Sequence, residues 1–540
     1  MKNFIIAVFA ALIFIPFLGR VNLFDWDEIN FAESAREMIV THDYSTVQIA
    51  YKPFWEKPPL FIWMEAASMK LFGINEFAAR FPNAIIGIIT LLVIFNIGKK
   101  LADERFGLWW VLIYAASWLP HFYFKSGIID PTFNLFIFLS VYFLARIAYG
   151  KRDNRNAIAS GIFLGLAVLT KGPVAILISL LALVVYWLYN KGKTALKWRH
   201  LGLIALFTAL LTCLWFGYII AVRGWWLVQE FIQYQVRLFS TPDAGHGGPF
   251  FYHWVVLLLG CFPASVFLFI YFQTTRRKSI YHYQQPEMRD FRTWMWILFW
   301  VVLILFSIVK TKIIHYSSLC YFPLTFLAAI QAYRMVEGKV KVRKWVFALL
   351  GLVGILLAAA IAALPLVGIY KDKLIPYIED PFAVGNLQAN VHWGYAECFF
   401  GLAYGIIILI CVILFFRNKP RMGLLVLFIS QVIIIEIALF HFVPKIEAYS
   451  QRSAIEFFRS LKGKDVYVQV LGYKSYAQYF YTQMPPPANP AYYNEDWLLT
   501  GKVDKPVYFV CKNIAADHYR DNPNLELIGE KNGFVFFRRR

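Results

Sequence analysis

"FWEKPPLFIW", residues 54–63, places a glutamate, a lysine and two prolines inside an apolar setting. Two prolines in a row force extended backbone before the next helix and can open that helix at its first position. The apolar run after them, "LFIWMEAASMKLFG", keeps helical spacing up to Gly73, a helix-ending residue. The stretch therefore reads as a break between membrane segments, with a helix lying at the membrane surface. Tryptophan flanks suit that interface.

The surroundings support this. Of 540 residues, 59% are hydrophobic and 16% are charged, and the mean hydropathy is +0.54. Soluble domains carry about 25% charged residues. Apolar runs long enough to cross a bilayer recur along the chain. They fall near 4–20, 82–98, 106–120, 132–149, 157–170, 173–190, 201–222, 254–272, 294–309, 317–333, 345–368, 398–416 and 422–441. The expectation is an all-α polytopic membrane protein of about 13 transmembrane helices. The first run has no clear cleavage site after it and reads as an uncleaved span.

The net charge of +20 is distributed in short clusters between the runs, such as "KKLADER", "KGKTALKWRH" and "RMVEGKVKVRK". Such clusters mark cytoplasmic loops; they do not build the single basic face of a nucleic-acid-binding protein. With the N-terminus in the cytoplasm, every second loop is basic. This puts 21–81, 223–253, 310–316 and 442–540 on the outer side. The tail reads as a small α/β domain, with strands in "DVYVQVLGY" and "KPVYFVC" and a hairpin at Asn532–Gly533. Domains are therefore expected at 1–441, with the outer loop 21–81 carrying juxtamembrane helices, and at 442–540. The six cysteines form no CxxC pair and read as small buried hydrophobes.

Unusual polar residues gather in the segments assigned to the outer side. In "DWDEINFAESAREM", Asp25, Asp27 and Glu28 precede a stretch with apolar residues at helical spacing and Glu33, Arg36 and Glu37 opposite. That pattern predicts an amphipathic helix along the membrane. The acids cap it or carry chemistry. Lys57, near backbone N–H groups at a helix start, is a phosphate seat or a lysine reaching lipid headgroups. Glu56 beside it would hold it charged. Asp130, ahead of Pro131, is a helix cap or a functional acid at a membrane mouth. Lys171 at a tight turn faces a lipid phosphate or only punctuates the turn. Arg237 precedes a glycine-rich loop containing His246 and offers a two-pronged phosphate grip. Lys310, Lys312, His315 and Tyr316 form a basic group on the side where basic residues are disfavoured, and an anionic lipid head explains it most simply.

Taken in order, "DEINFAESAREM", "FWEKPPLFIWMEAASMKLFGINEFAAR", "IIDPTFNLFIF", "GLAVLTKGP" and "KIIHYSSLCYFP" resemble glycosyltransferase family 39, within it the bacterial transferases that place aminoarabinose on lipid A. The resemblance implies a GT-C fold and inverting transfer of a sugar from undecaprenyl phosphate to an acceptor, lipid A or another envelope molecule. It implies Asp27, Glu28 and Asp130 as acidic site residues, with Asp27 as base or positioning group. It implies Lys57, Arg237 and Tyr316 on the donor phosphate, with Glu56, Lys171, His246, Lys312 and His315 as secondary candidates. Glu56 matches a position implicated in contact with a divalent metal, without implying that one is required. Relatives often carry Arg-Tyr where this chain has Asn30–Phe31.

Overall fold

The computed structural model describes residues 1–150, 153–241, 247–274 and 285–540. His246 and parts of two basic loops lie outside them. Each expected apolar run is helical. Among the described residues, eight helices are long and apolar enough to cross a membrane: Glu76–Leu101, Asp130–Ala148, Trp198–Arg223, Pro286–Ile308, Ile314–Val336, Lys344–Ile369, Tyr395–Phe416 and Pro420–Glu447. A ninth is the pair Tyr252–Gly260 and Ala264–Tyr271, bent by 108°. The remaining runs form shorter or more polar helices: Lys2–Phe14, Glu104–Ala115, Asn154–Lys171 and Val174–Tyr189. The protein is a multi-pass membrane protein.

Glycines bring some helices into near contact. A Cβ on Gly401 would lie 2.3 Å from Ala362 N, and one on Gly161 would lie 2.7 Å from Ile204 O. Lipid tails are as apolar as leucine, so close backbone approach, not hydrophobic exclusion, drives such helix pairing.

At one end of the bundle two short helices precede the second membrane helix. One spans Asp27–Thr41, the other Leu60–Phe72, which ends at Gly73 with φ 81°. Between them strands β1 (Gln48–Ile49) and β2 (Lys52–Pro53) make a small hairpin. The Asp27–Thr41 helix corrects the surface-helix expectation. Its polar side is not in water: Glu33, Arg36 and Glu37 are all buried. The C-terminal tail covers them. Arg36 donates twice to Glu33 at 2.7 Å and to the Tyr51 hydroxyl at 3.1 Å, and that hydroxyl donates to Met484 O at 2.6 Å. Self-contained pairing lets a charged face be buried. Glu37, crowded by burial and then by Glu33, is held well above the usual carboxylate range.

The tail forms a four-stranded sheet from β3 (Tyr467–Leu471), β4 (Val507–Lys512), β5 (Leu525–Lys531) and β6 (Phe534–Arg539), in the order β3-β4-β6-β5. β3 and β4 run parallel and the other pairs antiparallel. The β5–β6 hairpin turns at Asn532 (φ 50°) and Gly533 (φ 81°), the two positive-φ positions that a tight Asn-Gly turn requires.

Candidate functional site

The site residues converge where the Asp27–Thr41 helix and the turn before Leu60 meet the helices that carry Asp130, Lys171, Arg237 and His315. Asp27 opens its helix, where a carboxylate suits the positive end of the helix dipole. Asp130 opens the Asp130–Ala148 membrane helix, with Pro131 in its first turn. His315 lies in the first turn of the Ile314–Val336 span. Its Nε2 lies 3.5 Å from Asp27 Oδ2 and 3.8 Å from Asp130 Oδ2. One imidazole thus stands between two carboxylates that are more than a hundred residues apart in the chain.

Lys171 closes the cluster, with Nζ donating to Asp130 Oδ1 at 2.6 Å. It also sits 5.2 Å from the Tyr316 ring centroid. The lysine expected to face a lipid phosphate or mark a turn instead neutralises Asp130. The Asp130 side chain is 2% exposed, whereas that of Asp27 is 27% exposed. Solvent and substrate therefore reach Asp27 more readily.

Lys57 is different. Among the described residues it has no ion-pair partner; its Nζ lies 5.0 Å from the Tyr234 ring centroid. The guanidinium carbon of Arg237 lies 5.2 Å from the same ring. Tyr234 joins two predicted phosphate ligands and was missed in the sequence, although its i, i+3 spacing from Arg237 on the Trp226–Ser240 helix marks them as neighbours. Lys57 and Lys171 both lie within electrostatic reach of His315. The helix after the prolines starts at Leu60, so Lys57 precedes it by a short turn.

The structure redirects three other expectations. Glu56 forms no ion pair with Lys57; its charge acts instead on Tyr476 in the tail. Glu28 is locked in place. It pairs with Arg80 at 2.7 Å and accepts from Gly127 N at 2.6 Å and Phe24 N at 2.8 Å. Burial alone would raise its carboxyl; Arg80 and those N–H groups outweigh burial and hold it below the usual range. Lys312 Nζ donates to the carbonyls of Phe306, Ser307 and Val309 at 3.0, 2.7 and 2.5 Å. It caps the Pro286–Ile308 helix, where a cation suits the helix end, and all three of its protons are used.

Two further buried groups went unnoticed. Glu65 lies beside Glu28 and Gly127 and is pushed well above the carboxylate range, first by burial and then by Glu28. His253 is fully buried, with neither ring nitrogen paired among the described residues, within electrostatic reach of Lys312 and His315. Both sit in apolar runs that carry no local sign of chemistry. Among the described residues no three His, Cys, Asp or Glu side chains converge as a metal site would need, around Glu56 or elsewhere.

The tail reaches the site through Ser475, whose Oγ donates to Asp25 Oδ2 at 2.8 Å. Solvent reaches Asp25, but the tail hems it in. This desolvation raises its pKa from 3.8 to about 6, against the pull of Ser475 and Lys512. A carboxyl raised on folding contributes stability fully below its unfolded value and loses that contribution as pH rises through the folded value. Thermal melts of wild type and Asp25→Asn in detergent should therefore diverge between pH 4 and 7, wild type losing stability with rising pH relative to the variant. Parallel curves would remove Asp25 as a titrating contact of the tail.

Residues 56–216 match the family described as dolichyl-phosphate-mannose-protein mannosyltransferase. Over the whole chain the structure superposes on ArnT from Cupriavidus metallidurans bound to undecaprenyl phosphate, with a TM-score of 0.77, 18% identity, and coverage of 99% of this chain and 97% of that one. The chain has the ArnT fold. An archaeal oligosaccharyltransferase, AglB from Archaeoglobus fulgidus, is similar at a TM-score of 0.51 and 12% identity, over 95% of this chain and 70% of that one.

Two curated relatives carry the name undecaprenyl phosphate-alpha-4-amino-4-deoxy-L-arabinose arabinosyl transferase. The one from Wigglesworthia glossinidia brevipalpis is 27% identical over 60% of this chain and 57% of its own length. The one from Aeromonas hydrophila is 27% identical over 66% and 65%. The matched stretch thus spans less than two thirds of either relative. The likeness read from the sequence is borne out, and so is the expected GT-C architecture with a small C-terminal sheet.

Proposed function

We propose that this protein transfers a sugar, of the 4-amino-4-deoxy-L-arabinose kind, from undecaprenyl phosphate to a phosphate of lipid A. The reading places it in a bacterial inner membrane, N-terminus in the cytoplasm, with 1–441 as the catalytic membrane domain and 442–540 as a periplasmic domain. The observation that carries it is that Lys57, which has no ion-pair partner among the described residues and stands beside Tyr234 and Arg237, occurs together with the accessible carboxylate of Asp27 around His315.

In an inverting displacement an acceptor oxygen forms a bond to the anomeric carbon while the bond from that carbon to the carrier phosphate oxygen breaks. Negative charge grows on the departing carrier phosphate. Lys57 and Arg237 are the fixed cations to receive it, and such preorganised charge is the strongest form of transition-state stabilisation. Tyr316, against the Lys171 ammonium, lines the same space. An ionised phosphate acceptor needs little help from a base. Asp27 then orients the acceptor or holds the amino group of the donor sugar, and Lys171 and His315 keep Asp130 in place.

A second reading is a hydroxyl acceptor on a protein or a cell-surface glycan. The match to a protein mannosyltransferase family and the imidazole between two carboxylates favour it. A hydroxyl must lose its proton, and Asp27 would be the general base. Mass spectrometry of lipid A from cells with the wild-type gene, a deletion and Asp27→Asn separates the two. If the acceptor is a phosphate, the deletion removes the added sugar and Asp27→Asn lowers transfer about ten-fold, the worth of one charged hydrogen bond. Unchanged lipid A in the deletion strain sinks the lipid A reading. A fall of ~10²–10⁴ for Asp27→Asn, on whatever acceptor is then found, would assign it as a base.

A further inference from the structure

Immediately before Asp27 the chain meets the tail, and the contact holds more than a domain joint needs. Lys474 Nζ lies 4.6 Å from the Trp26 ring centroid and 5.5 Å from that of Tyr476. The two rings are tilted by 37° with centroids 5.3 Å apart. With its amide oxygen turned to the indole, Asn30 accepts from Trp26 Nε1 at 3.2 Å and donates to Trp26 O at 3.0 Å, which fixes the ring. Lys512, from β4, places Nζ 5.3 Å from the Tyr473 ring, and its charge acts on Asp25.

These groups are accessible and their charges are not consumed. Lys474 is exposed, and Trp26 and Tyr476 are only partly buried. Among the described residues neither Lys474 nor Lys512 has an ion-pair partner, and neither ammonium donates a hydrogen bond to the protein. An ammonium resting against a ring is held by the ring's quadrupole yet keeps N–H groups free for an anion. Ser475 and Asp25 already supply the docking bond between tail and loop.

Position adds the rest. Consecutive Cα atoms are 3.8 Å apart, so a ligand on Trp26 is a neighbour of Asp27 and the reacting centre. Flat aromatic faces suit the C–H face of a sugar ring, an amphipathic fit for rings with one polar handle. The free ammonium suits a phosphate on that sugar. The donor cations, Lys57 and Arg237, belong to another cluster around Tyr234.

We propose that Trp26, Tyr476 and Lys474 form an acceptor subsite for the phosphorylated sugar head of a glycolipid, with the C-terminal tail supplying half of it. The proposal deepens the transferase reading and rests on its anionic lipid acceptor. The test uses the full-length protein in detergent. Binding of diphosphorylated lipid A and, separately, of undecaprenyl phosphate is measured for wild type, Lys474→Ala, Lys474→Arg and Ser475→Ala.

The expected result is that Lys474→Ala weakens lipid A binding about ten-fold, as loss of a charged hydrogen bond would. Undecaprenyl phosphate binding stays unchanged, and Lys474→Arg restores most of the loss. A purely structural lysine would instead lower the melting temperature, as loss of the Ser475–Asp25 bond in Ser475→Ala is expected to, and leave lipid A binding intact; that result overturns the subsite. So does equal weakening for both lipids, or a wild type that does not bind lipid A. A wild type that binds lipid A through Lys474 but transfers no sugar to it would refute the proposed reaction and leave the subsite standing.

Discussion

Lys57→Ala should lower sugar transfer by ~10²–10³, the cost of removing one preorganised group from a developing oxyanion. The protein should remain folded. Lys57 has no ion-pair partner among the described residues, so its removal strands no buried carboxylate there; its ammonium rests against the Tyr234 ring. Single-turnover transfer from undecaprenyl phosphate sugar, with a melting curve as the control, is the measurement. Lys57→Arg should recover part of the rate, because the charge is kept while the compact ammonium is replaced by a wider fork. Full activity in Lys57→Ala would remove the donor-phosphate role and the main support for the proposed chemistry.

Arg80→Ala should be the most damaging change to stability. Its guanidinium donates to Leu18 O and Val21 O from Nη1 at 2.8 and 2.7 Å, to Asn22 O and Glu28 Oε2 from Nη2 at 2.9 and 2.7 Å, and to Glu28 Oε1 from Nε at 3.0 Å. All five N–H groups are used and the residue is buried. Removing it leaves the buried Glu28 carboxylate uncompensated beside Glu65, and breaking a buried pair from one side costs about 3–5 kcal/mol. Arg80→Lys should rescue little, since a lysine has three donors for five acceptors. Thermal unfolding of purified protein reads the effect; a variant that melts within a few degrees of wild type would show that this network is not needed to hold the loop after the first helix. Activity should fall along with stability, because Glu28 follows Asp27 on the same helical turn.

Much of the architecture was legible because it follows from local composition. A run of apolar residues near bilayer length is helical wherever it lies, as the chain cannot leave backbone groups unpaired in lipid. That reasoning located each membrane helix, the break at Pro58–Pro59, the end at Gly73 and the Asn532–Gly533 turn. It is less sure of length. The segment at 254–272 is bent at Cys261–Pro263, and four runs form helices that are shorter or more polar than a full span.

The site was legible in part. Asp27, Lys57, Asp130, Lys171, His315 and Tyr316 stand out as polar residues in apolar surroundings, and the fold gathers them at one end of the bundle. Their roles could not be read from one stretch of chain. Glu28 and Asp27 are adjacent acids, yet one is sealed by Arg80, 52 residues away, and the other stays open. Lys171 and Lys57 are both outlying lysines, yet among the described residues only Lys171 of the two has a carboxylate to neutralise it. Lys312 looked like a headgroup ligand until its three donors met three carbonyls of a helix end.

The sequence alone therefore determined the membrane class, the helical segments, the tail sheet and the residues capable of chemistry. Those properties depend on side-chain hydrophobicity and on backbone rules that act over a few residues. Only the tertiary structure decided which charges are spent and which remain available. A charge is neutralised by whatever lies within a few ångströms of it, and here those partners come from segments tens to hundreds of residues away, including a tail that buries the polar face of the Asp27–Thr41 helix and brings Lys474 to the edge of the site.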